Sequence, residues 1–339
     1  MAKKALVNRV TWFAVLLTCV VIALGAYTRL KDAGLGCPDW PGCYGHIGVP
    51  DTASEIIKAN EAFPLRPVDQ EKAWAEMVHR YFASTLGLVV MVILALSLAV
   101  RRHTPLQPVK LPLLLFGLVV FQGLLGMWTV TLGLFPTVVM AHLLGGFATL
   151  SLLFLLALRT SHDLPGFHGS PGRLYTAGII GMVILGLQIA LGGWTAANYA
   201  AAVCVDLPIC QSGWTQHLAL GPAFKFWGYG LSNYEFGHHL GPDAKMTIHV
   251  AHRIGAILTT VYLAGYIGLV IMRAQGAIRV YALAAAFLLV LQVCLGLSNV
   301  VFQLPLGIAV AHNGVAVLLM LSIIALSYSF YKAGGEANG

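Results

Sequence analysis

Long runs of apolar residues, separated by short polar or basic intervals, recur along the whole chain. The runs are continuous, without the period-two alternation of a half-buried strand, and each approaches or exceeds the roughly 20 residues that a helix needs to cross a hydrocarbon core. They predict eight crossings, at residues 10–28, 73–100, 111–131, 135–158, 174–196, 245–272, 278–301 and 305–331. A transmembrane barrel would alternate, so that class is excluded. The first run is too long for the apolar stretch of a signal peptide, and no convincing small-residue cleavage site follows it, so it is expected to remain as a helix. Two long polar intervals, about residues 29–72 and 197–243, lie on the same side of the predicted crossings.

Composition sharpens this picture. Of 339 residues, 58% are hydrophobic and only 10% charged, which excludes a soluble enzyme, a disordered chain and a small secreted disulfide scaffold. The formal net charge of +7 would suit nucleic acid only as a patch on a soluble face, and here the bases are scattered between apolar runs, so no nucleic-acid partner is expected. One side of the predicted membrane carries Lys3, Lys4, Arg9, Arg101, Arg102, Lys110, Arg159, Arg173, Arg273, Arg279 and Lys332 against Asp163 and Glu336, a balance of +9; the other side has −2. By the positive-inside rule both termini face the cytoplasm and both long loops face outward.

The chain also repeats itself. A shift of 167 residues superimposes Cys37-Pro-Asp39-Trp-Pro41-Gly-Cys43 on Cys204-Val-Asp206-Leu-Pro208-Ile-Cys210, both reading C-x-D-x-P-x-C. A shift of 173 places His79-Arg80 on His252-Arg253, and one of 170 places Gln122, Gly126 and Ala141-His142 on Gln292, Gly296 and Ala311-His312. Four matches in chain order, with an offset that drifts as loop insertions would make it drift, indicate tandem duplication of a four-helix unit. The expected fold is all-α: a polytopic membrane protein of eight transmembrane helices, forming two four-helix bundles related by a pseudo-twofold axis along the membrane normal. Residues 1–160 form the N-terminal half and 161–339 the C-terminal half.

Four histidines recur in matched pairs, His79 with His142 and His252 with His312, each about seven residues into its predicted crossing and so about 10 Å below the outer end. An imidazole in an apolar span is costly and faces the bundle interior. A lone one is commonly a packing residue; four at one depth suit axial ligands of two haem irons in an apolar slot. Zinc would require further ligands that neither pair repeats. Arg80 and Arg253 suit haem propionates, or else snorkel to lipid headgroups. Three residues before each helix-entry histidine the halves differ, Glu76 in one and His249 in the other. A carboxylate beside a haem edge is a candidate general base, with a helix-start role as the alternative. That asymmetry points to one reactive and one electron-transfer site.

The outer cysteines Cys37, Cys43, Cys204 and Cys210 suit one disulfide within each loop in an oxidising compartment, with metal binding the weaker alternative; Cys19 and Cys294 are read as packing residues. Gln122 and Gln292 are read as interhelical hydrogen-bonding residues, or as contacts to a haem substituent. His46, His103, His162, His168, His217, His238 and His239 fall in loops without repeat partners.

Together, Thr28-Arg29-Leu30, Gly34-Leu35, Cys37-Pro38-Asp39-Trp40-Pro41, Glu76-x-x-His79-Arg80, Gln122-Gly123-x-Leu125-Gly126, Ala141-His142, His252-Arg253 and Ala311-His312 resemble the haem A synthase family, over nearly the whole chain. The resemblance implies a bacterial inner-membrane enzyme that makes haem A for cytochrome oxidase. It would oxidise the C8 methyl of haem O to a formyl group by successive hydroxylations, with water as the oxygen source. It further implies that His79 and His142 hold the haem O substrate or haem A product, that His252 and His312 hold a resident haem B, and that Glu76 is the glutamate at the reactive haem. Cys37 and Cys43 match loop cysteines thought to form a disulfide. Beyond lipid and haem O, the implied partners are a haem O synthase and cytochrome oxidase assembly factors; no motif decides between a monomer and a homo-oligomer.

Two other classes explain part of the sequence. A non-catalytic di-haem b-type cytochrome relaying electrons to or from quinone would account for the histidines, yet it leaves Glu76 and the loop cysteines without a role. A transporter would account for the duplication, yet it predicts broken helices and midplane charges.

Overall fold

The computed structural model describes residues 2–102, 104, 107–161, 172–228, 230 and 233–337, and the side chains at 2, 3 and 334–337 lie outside this description. His103, His162, His168 and Asp163 therefore fall outside the described residues. Among the described residues ten α-helices follow in order: α1 (Ala2–Leu30), α2 (Ala53–Ala62), α3 (Gln70–Arg101), α4 (Lys110–Thr131), α5 (Pro136–Thr160), α6 (Gly172–Ala197), α7 (Leu220–Ala223), α8 (Pro242–Arg273), α9 (Gly276–Val301) and α10 (Leu306–Ala337). Among the described residues, eight of them are long and apolar enough to cross a membrane, and there is no strand beyond one isolated bridge between Cys43 and His46.

All eight expected crossings are present, several with longer ends than the apolar runs suggested. α3 and α8 each have 32 residues, about 48 Å at the helical rise and so well beyond a hydrocarbon core of about 30 Å. Their outer turns are polar and invisible to a hydropathy reading. At the start of α3 the Asp69 side chain accepts from the Lys72 N–H at 3.2 Å, and α8 begins with Pro242 in its first turn. As a result His79 and His252 lie nine and ten residues into their helices, whereas His142 and His312 lie six into theirs. The uniform seven-residue depth expected from the apolar runs is therefore not uniform when counted from helix starts. The first long loop also contains α2, closed by a capping box in which Thr52 and Glu55 satisfy each other's main-chain N–H.

The helix exits repeat as well. α1 ends with Asp32 at φ 52° and an Ala33 N–H bond to Thr28 O; α6 ends with Tyr199 at φ 53° and an Ala200 N–H bond to Thr195 O. α4 and α9 end likewise, with Leu134 N–H on Thr129 O and Leu304 N–H on Asn299 O. Each is a six-to-one turn that satisfies an orphan carbonyl, with a left-handed residue before the donor: Asp32, Tyr199 and Gln303 in three of them and Gly133 in the α4 exit.

In the first half α1 packs on α3 and α5, and α4 packs on α3 and α5; in the second, α6 packs on α8 and α10, and α9 on α8 and α10. The halves meet through α5 with α6, α1 with α10, and α5 with α10. One apolar core runs through both, including Ile93, Leu115, Leu150 and Leu153 of the first half and Leu263, Ile267 and Ile323 of the second. Outward-facing Leu16, Leu88, Leu258 and Phe287 give the apolar exterior that suits lipid contact.

Candidate functional site

His79 on α3 and His142 on α5 face each other edge to face, with ring centres 6.4 Å apart. They line a partly open cavity of about 400 Å³ among α1, α3, α4 and α5, whose wall includes Gly25, Glu76, Gln122 and Gly126. The rings fit there because the opposing helices present glycine. A β-carbon at Gly25 would stand 2.9 Å from His79 Cε1, and one at Gly126 would stand 3.5 Å from His142 Cε1. Nδ1 of both rings is buried without a full hydrogen bond, and main-chain groups of Val21 and Gln122 interact with His79 and His142 respectively. Two metal–imidazole bonds of about 2 Å, with about 1 Å more from each nitrogen to its ring centre, add to about 6 Å. The observed separation therefore fits a six-coordinate iron between the two rings, and the apolar wall fits a macrocycle.

His252 on α8 and His312 on α10 lie near enough in the second half to interact electrostatically. Their glycine neighbours are the repeat partners of the first pair: a β-carbon at Gly192 would meet His252 Cε1 at 3.1 Å, and one at Gly296 would meet His312 Cε1 at 3.2 Å. Gln292 Nε2 lies 3.3 Å from His312 Nε2, an interhelical hydrogen bond. Gln122, its partner in the first half, lines the cavity with its amide nitrogen buried and unbonded. Gln188 is a residue that the sequence reading missed: its Nε2 lies 3.0 Å from His252 Nδ1 and donates to the His252 carbonyl at 3.0 Å. The shift of 167 places Gln188 on Val21, and a lone amide in an otherwise apolar span was the available signal.

Above each pair sits a cysteine loop. Cys37 is bonded to Cys43 and Cys204 to Cys210, with Cα separations of 4.8 and 4.7 Å. Arg80 Nη1 donates to the carbonyls of Asp39, Pro41 and Gly42 at 3.1, 3.3 and 2.6 Å, while Nη2 pairs with Glu76 Oε1. Arg253 repeats the arrangement, donating to Asp206 O at 2.5 Å, Ile209 O at 2.8 Å and Cys204 O at 2.5 Å. The structure thus directs both guanidiniums onto loop carbonyls, an engagement that neither the propionate nor the snorkelling expectation contained; Arg80 still borders the cavity.

Glu76 is buried, and its Oε2 accepts the Cys37 N–H at 2.9 Å. A buried carboxylate paired with a guanidinium and a main-chain amide is neutralised and fixed in place. At the corresponding place His249 Nδ1 lies 3.3 Å from the Cys204 main-chain nitrogen and its Nε2 lies 3.2 Å from Arg253 Nε, and the imidazole can accept from only one of these two donors.

The two long loops also tie the halves together. Arg66 of the first pairs with Glu235 of the second at 3.1 Å, and the Tyr234 N–H donates to Gly133 O at 2.8 Å. Arg29, at the end of α1, donates to Ala196 O at 2.5 Å and stacks 3.9 Å over the Tyr199 ring. Of the loop histidines, His217 pairs with Asp243 at 3.7 Å and His239 Nε2 lies 3.1 Å from Asn198 Oδ1. Cys19 packs against the core as expected, but Cys294 is exposed on the outer face of α9, because its side chain points away from the bundle.

A profile of the family described as cytochrome oxidase assembly protein matches residues 8–324. The chain is 48% identical to a haem A synthase of Shewanella oneidensis over 97% of this chain and 99% of that one. The chain belongs to the haem A synthase family. Further members are more distant: a haem A synthase of Granulibacter bethesdensis is 28% identical over 97% of this chain and 88% of its own length. One from Maricaulis maris is 26% identical over 95% and 96%. The family match runs from within α1 to within α10, so both imidazole pairs, Glu76 and both cysteine loops fall inside it.

Proposed function

We propose that this chain is a haem A synthase that oxidises the C8 methyl of haem O to a formyl group. The first half, residues 1–160, would be the reactive site and the second, 161–339, the site of a resident haem B. The observation that carries this reading is the His79–His142 pair, 6.4 Å apart across an apolar cavity that Glu76 also lines. Near full-length similarity to haem A synthases supports it.

Each hydroxylation breaks one C–H bond of the methyl, taking two electrons and one proton from it, and joins the carbon to the oxygen of a water that gives up the second proton; loss of water from the resulting gem-diol leaves the aldehyde. His79 and His142 hold the substrate in the slot, and the glycines behind them fix the ring planes. Glu76 faces the same cavity with its charge balanced by Arg80, so it can accept the proton of an attacking water while the Cys37 amide keeps it oriented. Arg80 positions Glu76 and the loop together. A haem B held by His252 and His312 would supply a one-electron acceptor close by. The second site's proximity rests on Asn313, which follows His312 and lines the first cavity. The charge asymmetry supports cytoplasmic termini and periplasmic loops in a bacterial inner membrane, and the repeated helix contacts support a pseudo-twofold relation between halves. A haem O synthase and oxidase assembly factors are the partners proposed for handover, and self-association is left to experiment.

The test is acid extraction of haems from the purified protein, followed by mass identification. Haem B together with haem O or haem A is the expected result. Haem B alone at both sites would make the protein a di-haem cytochrome, and no haem would overturn both readings.

A further inference from the structure

The substrate assigned above carries two propionates, so the cavity needs a cation at its outer end. Arg80 is already committed: four acceptors surround it, and its charge is balanced by buried Glu76. Arg29 lines the same cavity and differs in each respect. Its counter-charge, Asp32, is 3.4 Å away and 38% exposed, which makes a weak pair. Its Nε is buried with no hydrogen-bond partner, although the side chain as a whole is only 18% exposed. An unpaired buried N–H on a guanidinium is costly unless an acceptor arrives. The Tyr199 ring and Ala196 carbonyl hold the guanidinium from the second half. The shift of 167 places Arg29 on Ala196 itself, so only one half carries this cation.

Resting on the proposed function, we propose that Arg29 is the residue that recognises a propionate of the substrate, with Arg80 acting as a positioning residue for the cysteine loop. The second half, by gripping the Arg29 side chain, helps build the substrate site of the first.

The experiment titrates haem O and its dimethyl ester into the detergent-solubilised protein with its second-half haem in place. The wild type should bind the free acid at least about tenfold more tightly than the ester, the scale of one charge-assisted hydrogen bond. Arg29→Gln should reduce that preference to about twofold or less while the second-half haem spectrum is unchanged, and Arg80→Gln should keep the preference. Tyr199→Leu, which removes one of the two contacts that grip the guanidinium, should lower the preference without abolishing it. If Arg29→Gln loses the second-half spectrum through misfolding, Arg29→Lys decides: it should retain part of the preference, and complete loss overturns the inference. Full preference in Arg29→Gln overturns it too, and full preference in Tyr199→Leu overturns the part given to the second half. Equal wild-type binding of acid and ester sinks this inference alone; failure to bind either form at His79 and His142 sinks the proposed function beneath it.

Discussion

Glu76 and His249 face the same two partners in opposite halves: each lies within hydrogen-bonding distance of the main-chain N–H of the first loop cysteine, Cys37 or Cys204, and of the arginine four residues on. The two places share the hydrogen-bonding frame and differ in the group inside it. A carboxylate can accept from both donors at once with its charge balanced by Arg80; an imidazole has one acceptor nitrogen at most and can accept from only one of them.

Replacing Glu76 by Gln preserves shape and an acceptor for Cys37 but removes the charge. Haem content should stay normal while haem A formation falls about 10²- to 10⁴-fold, the usual contribution of a general base. Haem A accumulating at the normal rate would make Glu76 structural.

The glycines behind the rings give half-specific variants. Gly25→Ala places a methyl 2.9 Å from His79, and Gly192→Ala places one 3.1 Å from His252. The first should lose the substrate haem and the second the resident haem. Neither should lower thermal stability through helix propensity, since Ala is favoured over Gly by about 1 kcal/mol. Extracted haem composition checks it; equal loss of both haems in either variant contradicts the assignment.

His312→Ala should remove the haem B signal selectively. Selective loss of haem O or haem A instead would show that the halves are reversed.

Arg253→Lys keeps a cation but cannot span the carbonyls of Cys204, Asp206 and Ile209. The expected cost is about 1–3 kcal/mol, seen as a lowered thermal midpoint and faster proteolysis within residues 204–210. An unchanged midpoint would mean the loop is held by its disulfide alone.

Burial raises the Tyr199 phenol above its ordinary value of 10.0, with Arg29 opposing. The folded state therefore favours the neutral phenol, and this stabilisation is complete below pH 10 and is lost as pH rises through the raised value. Tyr199→Phe keeps the ring over Arg29 and should lose less stability than the wild type between pH 9 and 11. Parallel curves for the two proteins would rule Tyr199 out as the titrating group.

Much of this was legible in the chain because a bilayer makes hydropathy nearly decisive. All eight crossings, the duplication and the matched histidines could be read directly, and His79 and His142 do meet. Gln188 was legible only as an unmatched amide, and the outer turns of α3 and α8 were hidden because polar helix carries no apolar signal. The targets of Arg80 and Arg253 were not legible at all, since a main-chain carbonyl looks the same in every sequence.

The amino-acid sequence by itself determined the number of crossings, the internal repeat and the residue types available at each site, because these depend on local composition and spacing. Tertiary structure alone decided that Arg29 reaches Ala196 and Tyr199 across the halves, that the arginines after His79 and His252 hold loops, and that glycines on α1, α4, α6 and α9 make room for the four rings. Those relations depend on how closely separate helices approach, and that distance is set by packing in three dimensions.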